Sequence, residues 1–258
     1  MFIFNNYPKT LLLSFIAFFL IPTFSMAVQL TPERVNIGTT FNGRTIAISG
    51  EINQDEDAII QITGTDTEAH FKQTGKVGGV LWMTIANFSL SGAPSAYFVY
   101  LPENISSWRL NKDNRWTQLN LDYDTLQDNI VIQPEQDDKN AVFKDFLKLK
   151  TAHELYQMVD NGVHYETVAN GRKTFNAVIR IPADIPRESY AVKILKIKDG
   201  SITGQETAEL HVQLQGFPLF ISNMAYNRSL LYGILSVLIA IGAGFFMGMV
   251  FKDKGGAH

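Results

Sequence analysis

The sequence predicts a mainly β protein that carries one transmembrane helix near its C-terminus. Short segments of alternating apolar and polar residues, separated by turn residues, fill most of the chain. One stretch has helical periodicity instead, and residues 229–251 contain no charged side chain. We therefore expect an immunoglobulin-like antiparallel β-sandwich with one inserted amphipathic helix and a transmembrane helix after it. The pattern is compatible with one elaborated sandwich or with two small ones.

The composition excludes several classes of function. The 258 residues are 46% hydrophobic and 18% charged, which is sufficient for a large core. Because the net charge is −3 and the globular part has no block of Lys or Arg, we expect no nucleic-acid partner. The chain has no cysteine, so disulfides, thiolate metal sites and cysteine nucleophiles are excluded.

The N-terminal segment 1–27 is typical of a secretory signal peptide. Lys9 precedes an apolar run over 11–21, and Pro22 and the small residues Ser25 and Ala27 follow it. We expect cleavage after Ala27. An N-terminal membrane span is the alternative, although an eleven-residue run is short for about 30 Å of hydrocarbon.

The first block of the mature chain, 28–102, predicts β-sandwich strands. The expected strands cover 33–37, 44–52, 58–63, 68–73, 80–88 and 95–101, with turns at Asn42-Gly43 and Gly78-Gly79. Residues 97–101 are apolar on both faces, which favours a central strand.

Residues 103–162 predict a long connection followed by one amphipathic helix. The helix is expected over 141–160, with Asn140 as its N-cap and Asn161-Gly162 as its end. Strands that complete the sandwich or form a second one follow over 163–215, with a turn at Asp199-Gly200. The juxtamembrane link 216–228 is short, so it would hold the β part close to the lipid surface.

Residues 229–251 predict a membrane-spanning helix, because an uncharged stretch of this length can cross the hydrocarbon core. Arg228 precedes it, and Lys252 and Lys254 lie in a basic stub, 252–258, that is expected to be cytoplasmic. With the signal peptide, this predicts a type I membrane protein whose bulk lies outside the cytoplasm. A buried helix of a soluble protein is the alternative.

Small residues recur within this predicted span. Ala240, Gly244 and Gly248 are four positions apart and therefore share one helix face. Such a face allows another helix to approach closely in lipid. We expect it to contact either an integral membrane partner or a second copy of the chain.

The sequence contains no recognisable catalytic constellation, so we predict no enzyme activity, no catalytic residues, no cofactor and no metal. The five histidines lack the spacing of zinc ligands, although His153 and His164 flank one end of the predicted helix. Four cations could contact an anionic ligand, and ordinary surface charge is the alternative interpretation: Arg109, Arg115, Arg172 and Lys173.

Four stretches of the sequence are distinctive when taken together: FLKLKTAHELY, AVIRIPADIPRESYAVKILKIKDG, PSAYFVYL at 94–101, and the tail GFPLFISNMAYNRSLLYGILSVLIAIGAGFFMGMVFK. They resemble an uncharacterised family of alphaproteobacterial-type transmembrane proteins. One departure is Glu188, because relatives tend to have a glycine two residues before the strand tyrosine, here Tyr190. The resemblance implies an inner-membrane protein with a periplasmic bulk and no assigned activity. Relatives of this family often neighbour sulfite-exporter-type permeases, so the resemblance also implies an accessory role in transport.

Three functions remain after these exclusions. The first is a membrane-anchored periplasmic accessory protein that docks against a membrane partner, such as a transport permease. The alternative is a periplasmic domain that binds an anion, and an enzyme is a remote third option.

Overall fold

The computed structural model describes residues 28–134, 139–167 and 171–252. The signal peptide predicted over 1–27 and residues 253–258 of the predicted stub lie outside the described residues. The described part contains twelve strands and six helices, with the following bounds. The strands are β1 (Gln29–Thr31), β2 (Arg34–Ile37), β3 (Arg44–Asn53), β4 (Asp57–Thr63), β5 (Asp66–Val77), β6 (Leu81–Pro94), β7 (Tyr97–Pro102), β8 (Val131–Gln133), β9 (Tyr156–Thr167), β10 (Arg172–Ile181), β11 (Ser189–Lys198) and β12 (Ser201–Leu214). The helices are α1 (Glu103–Leu110), α2 (Asn114–Gln118), α3 (Tyr123–Asn129), α4 (Lys139–Ala152), α5 (Phe217–Asn227) and α6 (Ser229–Lys252).

Nine of these strands form one mixed sheet in the order β1-β3-β10-β9-β7-β4-β11-β12-β2. Most neighbours are antiparallel, but β7 pairs with β9 in parallel and β12 pairs with β2 in parallel. A parallel pair needs a crossover connection. Helices α1 to α4 lie in the connection from β7 to β9, which explains why the helical segment interrupts the strands.

The nine-stranded sheet is curled so that its two edge strands come near each other at one end. Flat, it would be about 38 Å wide at about 4.8 Å between neighbouring strands. Its edge strands β1 and β2 are separated in sequence only by Pro32 and Glu33, so their ends lie within about 11 Å of each other. The sheet must therefore bend back on itself and enclose its concave face.

The enclosed face holds the main core, to which every strand of the large sheet contributes. Alternation explains this in β10, where Phe175, Ala177, Ile179 and Ile181 are buried while Val178 between them is exposed. The tight turns that connect the strands have the predicted chemistry. Asp199 and Gly200 both have positive φ, and so do Gly78 and Gly79, as type I′ turns require.

A second core lies on the outer face of the same sheet, beneath the helices and a small sheet of order β5-β6-β8. All six residues of β7 are buried, which confirms the predicted central strand. Tyr97, Tyr123 and Tyr156 pack together here with ring centroids about 6.1–6.2 Å apart. Burial raises the pKa of Tyr97 and of Tyr123 to about 12, and it raises the pKa of Tyr156 as well.

The mainly β class and the C-terminal apolar helix are confirmed, but the immunoglobulin-like sandwich is not. Strands from before and after the helical segment alternate within one curled sheet: β10 pairs with β3, and β11 pairs with β4. Two of the neighbouring pairs are parallel, whereas the prediction was antiparallel throughout. Local alternation predicts strands but not which strands pair, since pairing depends on long-range contacts.

The predicted helix over 141–160 was wrong at its C-terminal end. α4 ends at Ala152, and residues 156–160 belong to β9. Glu154 adopts positive φ, the Leu155 amide donates to the Lys150 carbonyl, and the Glu154 amide donates to the Thr151 carbonyl. This is a Schellman C-cap, and it ends the helix before Asn161. Tyr156 and Val159 happen to continue the helical spacing, although both residue types are enriched in β-strands.

The predicted long connection was also incomplete. Residues 103–129 contain the short helices α1, α2 and α3. Asp113 and Asp122 accept backbone hydrogen bonds at the starts of α2 and α3, which are ordinary N-caps. Helices this short carry little periodicity, so the sequence pattern alone did not reveal them.

Candidate functional site

The C-terminal helix α6 is the one candidate membrane span among the described residues. Within Ser229–Phe251 the most apolar 18-residue window has a mean hydropathy of 2.4, and none of its residues is buried against the rest of the protein. A helix of 23 residues is about 35 Å long, which matches the hydrocarbon core with a modest tilt. Its exposed large apolar side chains need a nonpolar surrounding.

One side of α6 carries an open groove. Ala240, Gly244 and Gly248 lie in one row of residues four apart, as predicted. The next row, Ile241, Phe245 and Met249, forms a ridge beside Gly244 and Gly248. A β-carbon placed on either glycine would meet no atom within 4 Å apart from its chain neighbours and the backbone of α6 itself. The floor of the groove is therefore backbone, which is the geometry that lets a second helix approach closely.

The juxtamembrane segment is a helix rather than an irregular link. α5 begins after Gly216, which has φ of 68°, and Pro218 lies in its first turn. Arg228, with φ of −140°, separates α5 from α6. One guanidinium nitrogen of Arg187, in the turn before β11, lies 3.1 Å from Ser222 Oγ in α5. This contact ties α5 to one end of the curled sheet.

The four cations proposed as ligand contacts all have carboxylate partners within the chain. Arg109 forms a two-pronged ion pair with Asp160 of β9, with Nε 3.0 Å from Oδ1. Arg115 lies 2.7 Å from Asp113 and stacks over the ring of Trp108 at 4.3 Å. The Arg115 hydrogen bonds lower the pKa of Asp113 to about 2, because they stabilise its ionised form.

Arg172 and Lys173 lie at the start of β10. Arg172 Nε is 3.1 Å from Glu51, at ion-pair distance, and Lys173 Nζ is 3.2 Å from Asp57 and 4.0 Å from the centre of the Tyr165 ring. Arg115 packs near Gly200, in the turn at this same end of the sheet. The fold thus brings three of the four cations toward the sheet end opposite α5, each beside its own carboxylate. Anion binding at these residues stays a prediction.

The histidines are separated along the sheet. His153, at the end of α4, has Nδ1 2.7 Å from Asp184, and His211 Nδ1 lies 2.8 Å from the Ser189 hydroxyl. His164 lies eight residues along β9 from Tyr156, about 26 Å from the strand start. His153 and His164 therefore do not meet. Within residues 28–134, 139–167 and 171–252, no group of three His, Asp or Glu side chains is arranged to hold a metal ion.

Sequence reasoning missed the contacts of Glu188. Its carboxylate accepts hydrogen bonds from the hydroxyls of Thr65 and Ser95, which lie just before β5 and just after β6. The signal available in the sequence was the charged residue at a position where the family resemblance led us to expect glycine. Glu188 thus fixes the base of the β5–β6 hairpin to the turn before β11.

The hairpin of β5 and β6 was predicted as two shorter strands, and its surroundings were not foreseen. Between the hairpin and α4 lies an open apolar cavity of about 360 Å³, lined chiefly by Phe71, Phe88, Leu90, Val142 and Phe146. Phe71 and Phe146 meet edge to face at 5.6 Å. Beyond the cavity the hairpin continues into a tip whose apolar side chains are exposed.

The comparisons with known proteins support the transmembrane assignment and do not bear on the β body. No protein of curated function and no solved structure matches the chain. Residues 25–253 match the family described as "Putative transmembrane protein (Alph_Pro_TM)". Because this match covers almost the whole chain, including α6, the protein belongs to that transmembrane family.

Proposed function

We propose that this protein is a non-enzymatic accessory protein anchored in the bacterial inner membrane by α6. In this proposal its β body lies in the periplasm, its C-terminus is cytoplasmic, and α6 docks against a helix of an integral membrane partner such as a transport permease. The observation that carries the proposal is the groove of α6, whose floor is formed by Gly244 and Gly248.

The groove favours docking because association in lipid depends on close packing. Lipid chains are as apolar as leucine side chains, so burial of apolar surface gives little drive for two helices to associate. A backbone floor lets a ridge of the partner helix enter between side chains and gain dispersion contacts. The ridge of Ile241, Phe245 and Met249 would fit the matching groove of the partner.

The link between the β body and α6 supports the accessory role. Arg187 contacts α5, and only Arg228 separates α5 from α6. The β body is thereby held near the bilayer surface, where it can meet the exposed loops of the same partner. Tethering of this kind raises the effective concentration of a second contact.

Filling the groove is expected to separate the protein from its partner. In the double variant Gly244→Leu and Gly248→Leu, the amount of co-purified membrane protein should fall roughly tenfold, corresponding to about 1.4 kcal/mol of lost packing. The measurement is detergent pull-down from native membranes followed by mass spectrometry. Gly242→Leu is the matched control, because residue 242 lies about 200° around the helix from residues 240 and 244.

Unchanged co-purification in the double variant, with α6 still inserted, would refute docking through this groove. If only a second copy of the chain is recovered, and the double variant loses it, the partner in the proposal is replaced by self-association.

The proposed orientation has its own test, which uses the lack of cysteine in the chain. A single Ile202→Cys variant places a thiol on an exposed position of β12. We expect a membrane-impermeant maleimide to label it in spheroplasts without lysis. Labelling that requires lysis would place the β body in the cytoplasm and refute the orientation.

A further inference from the structure

The tip of the β5–β6 hairpin, residues 77–85, is the most apolar exposed surface outside α5 and α6 in the described part of the chain. Six of these nine residues are exposed large apolar side chains, with Val80 87% and Trp82 66% exposed. The others are Val77, Leu81, Met83 and Ile85. Exposed apolar residues elsewhere on the β body occur singly, which is normal for a protein surface, whereas a cluster marks a contact site.

The charge of the hairpin distinguishes it from the rest of the acidic protein. No Asp or Glu occurs between Ala69 and Pro102, although the whole chain has a net charge of −3. Lys72 and Lys76 lie in β5, and Lys76 Nζ is 5.4 Å from the centre of the Trp82 ring. Apolar residues with one tryptophan and nearby lysines are the combination that suits the interface of an anionic bilayer.

The position of the hairpin base is also suitable for a contact with the bilayer. The base is held by Glu188, and the adjacent Arg187 contacts α5, so the hairpin and the juxtamembrane helix start from the same end of the sheet. From Asp66 to Val77 the hairpin is about 36 Å long at about 3.3 Å per residue. The base of this arm therefore lies at the sheet end from which the chain continues through α5 into α6.

From these observations we infer that the hairpin tip inserts into the interfacial region of the bilayer as a second membrane contact. The inference rests on the part of the proposed function in which α6 spans the membrane. Lipid is favoured over a protein partner because the tip is a narrow two-stranded arm flanked by lysine, a residue that protein interfaces avoid. Because α6 holds the base of the hairpin near the bilayer, the effective concentration of lipid at the tip is high and a weak affinity is sufficient.

The test uses the full chain in nanodiscs that hold one copy each. Because the protein has no cysteine, a Leu81→Cys variant can be labelled at one site with the fluorophore NBD. The discs contain phosphatidylcholine, phosphatidylglycerol and a doxyl-labelled lipid that quenches nearby fluorophores. The matched control is NBD on Ile202→Cys, which replaces another exposed apolar residue, at the sheet end away from α5.

We expect quenching of NBD at residue 81 and none at residue 202. Changing Lys72 and Lys76 to Gln should lower the ratio of inserted to free tip about fivefold per lysine in discs with phosphatidylglycerol. In pure phosphatidylcholine the same change should have little effect.

Equal fluorescence with and without doxyl lipid at residue 81 would overturn the inference. The inference also fails if NBD at residue 81 responds only when two copies share a disc, since the tip then contacts a second chain. Resistance of the same variant to carbonate extraction reports on α6 separately. Insertion of the tip can therefore be refuted even when α6 is shown to span the membrane.

Discussion

Replacing both Leu238 and Ile241 by arginine is expected to prevent α6 from remaining in the membrane. The span contains twelve Leu, Ile, Val and Phe residues. Each favours insertion by about 0.3–0.6 kcal/mol, which amounts to about 4–7 kcal/mol in total. Two arginines near the centre cost about 5–7 kcal/mol and also remove two of the favourable residues. The net free energy of inserting α6 therefore becomes unfavourable.

The measurement is the fraction of protein that carbonate washing extracts from membranes. The double arginine variant should move to the supernatant, whereas the double alanine variant at the same positions should stay in the pellet. A single Ile239→Arg change should also stay, because about 3 kcal/mol is less than the apolar residues supply. Retention of the double arginine variant in the pellet would contradict the assignment of α6 as a span.

The second large effect is expected in the core of the curled sheet. Phe98 on β7 is fully buried on the concave face. Its replacement by alanine should lower the free energy of unfolding by about 3–5 kcal/mol, because it removes apolar contacts and leaves a cavity. A loss of this size is a large part of the stability of an ordinary domain.

Chemical denaturation of the full chain in detergent, followed by near-UV circular dichroism, measures this loss. Val178→Ala on β10 is the matched control, since Val178 is 68% exposed on the same sheet and its loss should cost less than about 0.5 kcal/mol. If the two variants were equally stable, the concave face of the sheet would not be the continuous core described above.

The candidate groove could be predicted because helix geometry is local. Once residues 229–251 form a helix, the spacing of four places Ala240, Gly244 and Gly248 on one face whatever the rest of the chain does. The same reasoning could not place the four cations. Arg109 meets Asp160 and Lys173 meets Asp57 only because distant strands and helices come together in the folded sheet.

For the hairpin tip, the sequence predicted the local structure but not the exposure of its side chains. Its Gly78-Gly79 turn and its strands were predicted, since both are encoded by neighbouring residues. The sequence also shows that the segment is apolar and free of acids. Whether such a segment is buried or exposed depends on what packs over it. Only the tertiary structure places Val80 and Trp82 in the open, with the base of the hairpin held by Glu188.

The sequence by itself determined the mainly β class, most of the individual strands, the tight turns and the uncharged C-terminal helix. Each of these depends on interactions within about ten residues, so alternation, turn residues and hydropathy are sufficient to reveal it. The tertiary structure alone decided the strand order, the parallel pair of β7 and β9, and the end of α4 at Ala152. These features depend on residues far apart in the chain, whose pairing is chosen by burial of the whole sheet rather than by any local pattern.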